Sequence, residues 1–361
     1  MPNAIAQGHQ ADLLPDGADA SSTGWEHSIA PSTGMESPTT ERGARKPSDL
    51  AHVVGSGLAA FKGIIMPTDA QRTAVRQMDS LRIMGLQQQD GEQRRAYRYL
   101  NHSGAGKSTC AKILRHHVNA QPDRDPSLKP VLHVTLSTTG TPKSFASSIL
   151  DAMGDNYSTR GEAELLLRRV RQGIREFGVE LLIIDEMNHF RHKSMAKDAA
   201  NTIKNILTLG WVPVVLMGTP EAQALFTDNR ELKNRCAPQV VLSAYDVDDD
   251  DDLLRWSKFL GRMDAAIVNR KILRSASGLA DPDLAADLCR ASNGLIGELH
   301  NILLTALEQV LLAGEDHIGH HRLADAVDAW CMQDDTIDRN FVRLRYSEVL
   351  RTQRQRSSRR K

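Results

Sequence analysis

The segment Ala96–Thr109, AYRYLNHSGAGKST, decides the fold of this chain. The apolar and aromatic run Ala96–Leu100 predicts a strand, and the apolar spacing after Lys107 predicts a helix over Lys107–Val118. A glycine-rich turn ending in Lys-Ser-Thr joins the two, which is the strand–loop–helix context of a phosphate-binding loop. In such a loop, backbone N–H groups and the positive end of the helix dipole point at phosphate oxygens. The segment therefore predicts a nucleotide site within an α/β domain.

Individual residues of this loop have expected parts in binding ATP and Mg²⁺. Lys107 is expected to reach the β- and γ-phosphates, and the Ser108 hydroxyl to bind Mg²⁺. Asn101 stands where the motif has glycine, and we expect asparagine to be tolerated because it accepts unusual backbone angles better than most residues. A glycine–serine turn with an incidental lysine is the alternative interpretation. The predicted nucleotide-binding residues are Asn101, His102, Ser103, Gly104, Ala105, Gly106, Lys107, Ser108 and Thr109.

A second apolar strand, LLII over residues 181–184, ends in the acids Asp185 and Glu186. Ligands of open α/β sheets bind at the carboxyl ends of the strands. Asp185 is therefore expected to hold Mg²⁺ together with Ser108, directly or through water. Glu186 is the expected base that polarises the attacking water. The alternative is that the two acids simply terminate a strand.

Two further polar positions complete the predicted catalytic set. Thr219 follows the next apolar strand, and we expect it to contact the γ-phosphate or the attacking water, although Gly-Thr-Pro is also a common turn sequence. Arg235 precedes the last predicted strand, Val240–Leu242, and is preferred over Arg230 as an arginine finger that reaches a neighbour's nucleotide. A solvated helix face is the alternative for this arginine.

The chain divides by composition and periodicity into four parts. Continuous apolar strands alternate with helices up to about residue 250, which predicts a parallel sheet covered on both faces. After that point only helical patterns remain. The predicted parts are a disordered tail over 1–50, an α/β nucleotide-binding domain over 51–248, a helical domain over 249–335 and a basic tail over 336–361. The first tail is rich in Pro, Gly, Ser and Thr, and a segment that orders only with a partner is its alternative.

Composition excludes several classes of protein. Lys and Arg number 45, as do Asp and Glu, so no whole-chain basic field attracts nucleic acid. No apolar run approaches a membrane span, and no secretory signal is evident, so we expect a cytoplasmic protein without a membrane partner. Aromatic residues make up 4% of the chain, which disfavours base-stacking modules. The four cysteines, Cys110, Cys236, Cys289 and Cys331, are scattered and indicate neither a zinc site nor disulfides.

The order of the motifs resembles that of AAA+ ATPases, and most of all the TniB/TnsC family of transposition ATPases, which are relatives of MuB. The resemblance runs from about Pro67 to Val327 and is most specific at DEMNHF (185–190) and MGTPEA (217–222). It also includes SNGLIGELHNIL (292–303), where His300 stands at a place that often carries arginine. The resemblance implies a P-loop AAA+ parallel sheet flanked by helices and followed by a small all-helical lid domain.

This resemblance also implies a function. Members of the family are ATP- and Mg²⁺-dependent oligomers, rings or helical filaments, on duplex target DNA, where they recruit or activate a DDE transposase. It implies that Arg235 acts in trans, that DNA stimulates ATP hydrolysis and that the lid senses nucleotide. Other AAA+ switches, such as a helicase loader or a secretion-linked ATPase, remain alternatives, as does a nucleotide-locked scaffold that barely hydrolyses ATP.

Predicted DNA contacts lie in three places. Lys143 lies in the polar loop after a further predicted strand, Pro130–Leu136, and Arg191 and Lys193 follow the acids Asp185 and Glu186. The third place is Arg339–Lys361, which carries eight Arg and one Lys. A solvated surface charge is the alternative for each isolated residue. The basic tail is expected to bind DNA or an acidic partner surface, with a solubility tail as the alternative. The acidic run Asp248–Asp252 is expected to be a solvated loop between the domains.

Overall fold

The fold combines a five-stranded parallel sheet, covered by helices on both faces, with a second core made of helices alone. The computed structural model describes residues 47–121, 124–136, 141–189, 193–332 and 337–358. The strands are β1 (Ala96–Leu100), β2 (Val131–Thr135), β3 (Leu181–Asp185), β4 (Val214–Gly218) and β5 (Cys236–Gln239). Their order in the sheet is β2-β3-β4-β1-β5, and every pair is parallel. The carboxyl ends of β1, β3 and β4 therefore share one edge.

The helices follow the predicted alternation closely. In the described residues they are α1 (Pro47–Lys62), α2 (Asp69–Gln87), α3 (Lys107–Asn119), α4 (Pro142–Met153), α5 (Ala163–Glu176), α6 (Lys193–Thr208), α7 (Gln223–Thr227), α8 (Arg230–Arg235), α9 (Asp250–Asn269), α10 (Pro282–Ala291), α11 (Ile296–Ala313), α12 (His320–Val327) and α13 (Phe341–Ser358). Thr68 begins α2 in a capping box with Gln71, and Thr141 begins α4 in the same way with Ser144. These caps fix the starts of two helices that flank the sheet.

The sheet is apolar on both faces. Along β3, Leu181 and Ile183 pack with α2 and α3, whereas Leu182 and Ile184 pack with α4, α5 and α6. All four side chains are buried, because successive residues of a strand point to opposite faces and both faces are covered. This confirms the predicted α/β fold with its parallel sheet.

The helical core contains α1 as well as α9 to α13. Val54 and Phe61 of α1 are buried among the side chains of the later helices, and α1 packs along α11. This differs from the sequence-based division, in which the tail ran to residue 50 and the α/β domain began at 51. The apolar residues Leu50, Val54, Leu58 and Phe61 repeat at helical spacing, so the signal was present in the sequence. Residues 1–46 of the predicted tail lie outside the described residues.

The last strand of the sheet lies earlier in the chain than expected. The sequence predicted Val240–Leu242, but β5 is Cys236–Gln239, and its first residue pairs with Ala96. Pro238 interrupts the apolar pattern of this segment. Proline lacks the N–H that a central strand must donate, but it is tolerated at an edge, which is where β5 lies.

The predicted basic tail contains a docked helix, α13. Arg343 donates hydrogen bonds to Asp325 and Asp328, each at 2.6 Å, and Arg345 pairs with Asp287 of α10. Side chains beyond residue 351 and the last three residues lie outside the described part. Two arginines that were counted as available for DNA therefore bind the chain's own carboxylates.

No single helix among the described segments has the length and apolar character to cross a membrane. The consecutive helices α10 and α11 pass that test only when taken together, and they are bent by 108° at the break between them.

Arg345→Ala should lower the free energy of unfolding by about 1–3 kcal/mol, because Asp287 is 2% exposed and would stay buried without its main cation. Arg290 also lies 3.4 Å from Asp287, which keeps the loss moderate. Arg351→Ala removes an exposed arginine from the same helix and is the matched control, with no change expected. Urea unfolding of both variants measures the difference, and equal stabilities would contradict the docking of α13 through this ion pair.

Candidate functional site

The loop after β1 is held in a conformation that only glycine adopts without strain. Gly104 and Gly106 have φ of 78° and 85°, in the left-handed region. A Cβ atom on Gly106 would lie 1.9 Å from the side-chain nitrogen of Gln71 on α2. The two glycines thus let the chain turn tightly between β1 and α3, with α2 packed against the turn.

Lys107, the first residue of α3, folds back over this loop. Its side-chain nitrogen donates hydrogen bonds to the carbonyl oxygens of Asn101 at 2.6 Å and His102 at 2.8 Å. Burial lowers the pKa of Lys107, and the nearby carboxylates of Asp185 and Glu186 offset this only in part. The ammonium is thus placed at the mouth of the loop, where it can exchange carbonyl partners for phosphate oxygens.

Asn101 connects the loop to the segment after β5. Its side-chain nitrogen donates to the carbonyl oxygen of Val240 at 3.1 Å, and its side-chain oxygen accepts from the backbone N–H of Leu242 at 2.8 Å. Its φ is not positive, so our sequence-based reason for asparagine at this position was wrong. Asparagine replaces glycine here because its amide makes two hydrogen bonds that glycine cannot make.

Asp185 lies at the end of β3 and binds the start of α3. Its Oδ2 accepts a hydrogen bond from the Ser108 hydroxyl at 2.7 Å and one from His133 Nε2 at 3.3 Å, and its Oδ1 accepts from the backbone N–H of Glu186. Burial alone would raise the pKa of Asp185, but these hydrogen bonds hold it below its usual value. The carboxyl is therefore ionised at neutral pH.

The oxygens of Ser108 and Asp185 fit a magnesium ion by their chemistry. They are a hydroxyl and a carboxylate, the hard oxygen ligands that Mg²⁺ prefers, and they adjoin the phosphate loop. His133 was not among the predicted site residues. It lies on β2, where a polar residue interrupts the apolar pattern PVLHVTL, and its Nε2 hydrogen-bonds Oδ2 of Asp185, the same oxygen that accepts from Ser108.

Glu186 has a strained backbone. Its φ is 63°, one of three positive values among non-glycine residues in the described segments. Such a conformation costs on the order of 1–3 kcal/mol and persists only where surrounding structure imposes it. The chain turns sharply here, immediately after the buried strand, and the side chain stays half-buried next to Lys107 rather than continuing along β3.

Thr219 lies at the same edge of the sheet, immediately after β4. Gly218 pairs with Leu100, so Thr219 comes next to the start of the phosphate loop. Its hydroxyl hydrogen-bonds the side chain of Glu221, which lowers the pKa of that glutamate. The structure thus brings Thr219 to the predicted edge, with its hydroxyl engaged by a neighbouring carboxylate.

Arg235 lies at the opposite end of the strands, where they begin. It ends α8 directly before β5, whose first residue, Cys236, pairs with the first residue of β1. The phosphate loop follows the other end of β1, roughly 16 Å away for a five-residue strand. Arg235 donates one hydrogen bond to the carbonyl of Glu231, and its buried Nε has no partner among the described residues. Arg230 on the same helix is exposed.

The predicted DNA contacts are only partly visible. Lys143 is exposed at the start of α4, Lys193 begins α6 with its side chain outside the described part, and Arg191 lies outside the described residues. Sequence reasoning did not predict an open, mostly apolar groove of about 410 Å³ on α3, which Lys112, Arg115 and His116 line together with Ile65. The spacing i, i+3, i+4 of Lys112, Arg115 and His116 places the three side chains on one face of a helix, and this pattern was visible in the sequence.

The lid meets the phosphate loop, but not through His300. The His300 ring stacks on Phe61 of α1 with centroids 4.7 Å apart, and burial lowers its pKa. It therefore faces α1 as a neutral ring. The loop contact is made one turn earlier, where the backbone N–H of Gly297 donates to the carbonyl oxygen of Gly104 at 2.8 Å.

Part of the chain matches a known protein family. Residues 70–245 match the family model "Bacterial TniB protein", which covers just under half of the chain. No curated protein sequence matches the chain significantly.

The fold is similar to that of several solved structures. Cdc6p from Pyrobaculum aerophilum matches with a TM-score of 0.57 and 14% identity, over 75% of this chain and 70% of that one. The ORC2 protein of Aeropyrum pernix, in ADPNP-ADP complexes, matches with a TM-score of 0.55 and 15% identity, over 75% of this chain and 71% of that one. The ORC1 protein of the same organism, in complex with DNA, matches with a TM-score of 0.54 and 15% identity, over 74% of this chain and 68% of that one. At these identities the likeness shows the fold alone, the AAA+ arrangement of a parallel sheet flanked by helices and followed by a helical lid.

Asn101→Gly restores the glycine of the usual motif, yet it should lower the free energy of unfolding by about 1–3 kcal/mol, since two hydrogen bonds to residues 240 and 242 are lost. Asn101→Asp keeps the accepting oxygen but places a buried carboxylate oxygen against the carbonyl of Val240, so it should lose at least as much. Chemical denaturation of the two variants beside the wild type measures both effects. A glycine variant as stable as the wild type would show that the asparagine bonds contribute nothing.

Proposed function

We propose that the protein is an ATP-dependent regulator of DNA transposition, on the premise that residues 70–245 match the TniB family model and that the fold is similar to that of Cdc6p. It hydrolyses ATP with Mg²⁺, assembles on duplex target DNA and recruits or activates a DDE transposase. The observation that carries the proposal is the meeting of the phosphate loop, the Ser108–Asp185 pair and Glu186 at one edge of the sheet.

Each of these residues has a role in the proposed hydrolysis. Lys107 exchanges its carbonyl partners for β- and γ-phosphate oxygens, and loop N–H groups bind the same phosphates. Ser108 and Asp185 hold Mg²⁺, which when bound neutralises charge on the phosphates. Glu186 accepts a proton from the attacking water, and Thr219 positions that water or the γ-phosphate.

The location of Arg235 supports an assembly in which catalysis is shared between subunits. It lies at the amino ends of the strands, whereas its own phosphate loop lies at their carboxyl ends. We therefore expect it to contact a nucleotide only in a neighbouring subunit. A contact between opposite edges of two copies is head-to-tail and produces a ring or a helical filament. The proposed partner is therefore first of all a second copy of this chain.

Mixing two inactive variants tests this arrangement. Glu186→Gln and Arg235→Ala should each bind ATP as the wild type does and hydrolyse it slower by roughly 10² or more, because the base or the transition-state cation is missing. A mixture should recover part of the activity, since some interfaces pair an intact Glu186 with an intact Arg235. Phosphate release is the measurement.

Lys107→Ala is the control for this experiment, and it should lose ATP binding altogether. Co-assembly of the mixed variants is checked by light scattering. A mixture that co-assembles without any gain in activity would show that Arg235 does not act across the interface.

Contacts with DNA are proposed to depend on assembly. The chain has no net charge, so a single copy offers only local basic groups such as Lys143 and the groove at Lys112 and Arg115. An array of copies sums these contacts along the phosphate backbone. The ORC1 protein of Aeropyrum pernix and the ORC of Drosophila, which share this fold, are described in complex with DNA. For this chain, DNA binding is our proposal. We also propose that Arg191 and Lys193 contact the DNA.

Duplex DNA should be bound in the presence of ATP with little sequence preference, and log affinity should fall steeply with log salt, because counterions are released. Lys143→Ala should flatten that slope, whereas Lys258→Ala, which removes an exposed lysine from the lid, should not. Fluorescence anisotropy over a salt series measures both. Binding that is independent of ATP and salt would contradict the proposal.

Transposase activation is tested separately. Strand transfer by a cognate DDE transposase should rise when this protein, ATP and target DNA are all present. ATP-dependent DNA binding without any stimulation of strand transfer would indicate another AAA+ switch, such as a helicase loader.

A further inference from the structure

The lid touches the phosphate loop backbone to backbone. A Cβ atom on Gly297 would lie 2.5 Å from the Cα atom of Gly104 and 2.9 Å from its carbonyl oxygen. The hydrogen bond from Gly297 to Gly104 closes the same contact. The first turn of α11 thus rests directly on the loop that is proposed to hold the phosphates.

A carboxylate accompanies this contact. Glu298 follows Gly297, and its Oε1 lies 3.5 Å from the position of a Cβ atom on Gly104. Its Oε2 accepts a hydrogen bond from the indole nitrogen of Trp330 at 2.7 Å. Trp330 belongs to a π-helical turn, Asp328–Met332, that follows α12. The indole therefore fixes the carboxylate beside the loop.

The side-chain charge that the lid presents at this point is negative, because the side-chain atom nearest to the Cβ position of Gly104 is a carboxylate oxygen of Glu298. The three atoms nearest the Cβ position of Gly104 belong to Glu298 and Gly297. His300, at the place where the resembled family often carries arginine, is stacked on Phe61 instead. A triphosphate held on the loop would bring negative charge within several ångströms of Glu298, and like charges at that range repel.

We propose that Glu298 is the group through which the lid senses nucleotide, and that it acts by repulsion. The inference rests on the proposed binding of ATP at this loop. In the absence of nucleotide, Trp330 holds the carboxylate against the loop and the lid is docked. Occupancy by ATP drives Glu298 away, breaks its hydrogen bond to Trp330 and releases the lid. By linkage, the docked lid weakens ATP binding to the same extent that ATP weakens docking.

This mechanism has the opposite sign to that of an arginine sensor. Removing an arginine that binds phosphate lowers nucleotide affinity, whereas removing the charge of Glu298 raises it. A merely structural glutamate, one that interacts with the dipole at the start of α11, would alter stability and leave ATP affinity unchanged.

The test is ATP affinity of the full chain, measured by isothermal titration calorimetry. Glu298→Gln should bind ATP roughly three- to tenfold more tightly at low salt, and the gain should shrink as salt screens the repulsion. Glu308→Gln makes the same charge change at an exposed position of the same helix and should leave affinity unchanged. Trp330→Phe frees the carboxylate and should give a smaller gain.

Trp330 supplies a second readout. The emission that the wild type shows and the Trp330→Phe variant lacks should change when ATP is added, because the indole loses its charged acceptor. Unchanged or weaker ATP binding by Glu298→Gln, beside normal binding by the wild type, overturns this inference and leaves the ATPase proposal standing. A wild type that binds no ATP overturns both.

Discussion

The hydrogen bond from Ser108 to Asp185 is the interaction on which the site depends. It joins the first turn of α3 to the end of β3, two strands away from the strand that leads into the loop. It forms because the parallel register brings the ends of β1, β3 and β4 to one edge. Gly218 ends β4, which lies between β1 and β3. A Cβ atom there would lie 3.1 Å from the Cβ of Met187, so the absence of a side chain lets the segment after β3 pack closely. The loop, the acids and Thr219 are therefore held together by the sheet.

The second domain is coupled to this edge by short contacts. Asn101 binds the segment that leads into the lid, and Gly297 of the lid binds Gly104 of the loop. At the other side, the stack of His300 on Phe61 ties α11 to α1, which continues into α2 through a short connection. The phosphate loop and the lid are thus in direct backbone contact, which is the physical basis of the coupling that we propose between nucleotide and lid.

The parts of the fold that sequence predicted well are those with strong local periodicity. β1, α3 and β3 were predicted to within two residues, because buried strands are continuous in apolar residues and α3 follows an unmistakable loop. β5 was misplaced, since an edge strand with a proline carries little apolar signal. The helix α1 was divided between the predicted tail and the predicted α/β domain, and α13 was hidden in the basic tail, because both carry only a sparse apolar stripe. Lys107, Ser108, Asp185 and Glu186 were predicted as a set; His133 and Glu298 were not.

The sequence by itself determined the phosphate loop and the acids that face it, because their chemistry depends on short spacings next to a strand. The tertiary structure alone decided which side chains surround them. It placed His133 against Asp185, turned His300 towards Phe61, brought Glu298 to the loop and set Arg235 at the far edge. These placements follow from strand order and helix docking, which bring together residues far apart in the chain, and no local pattern encodes such pairings.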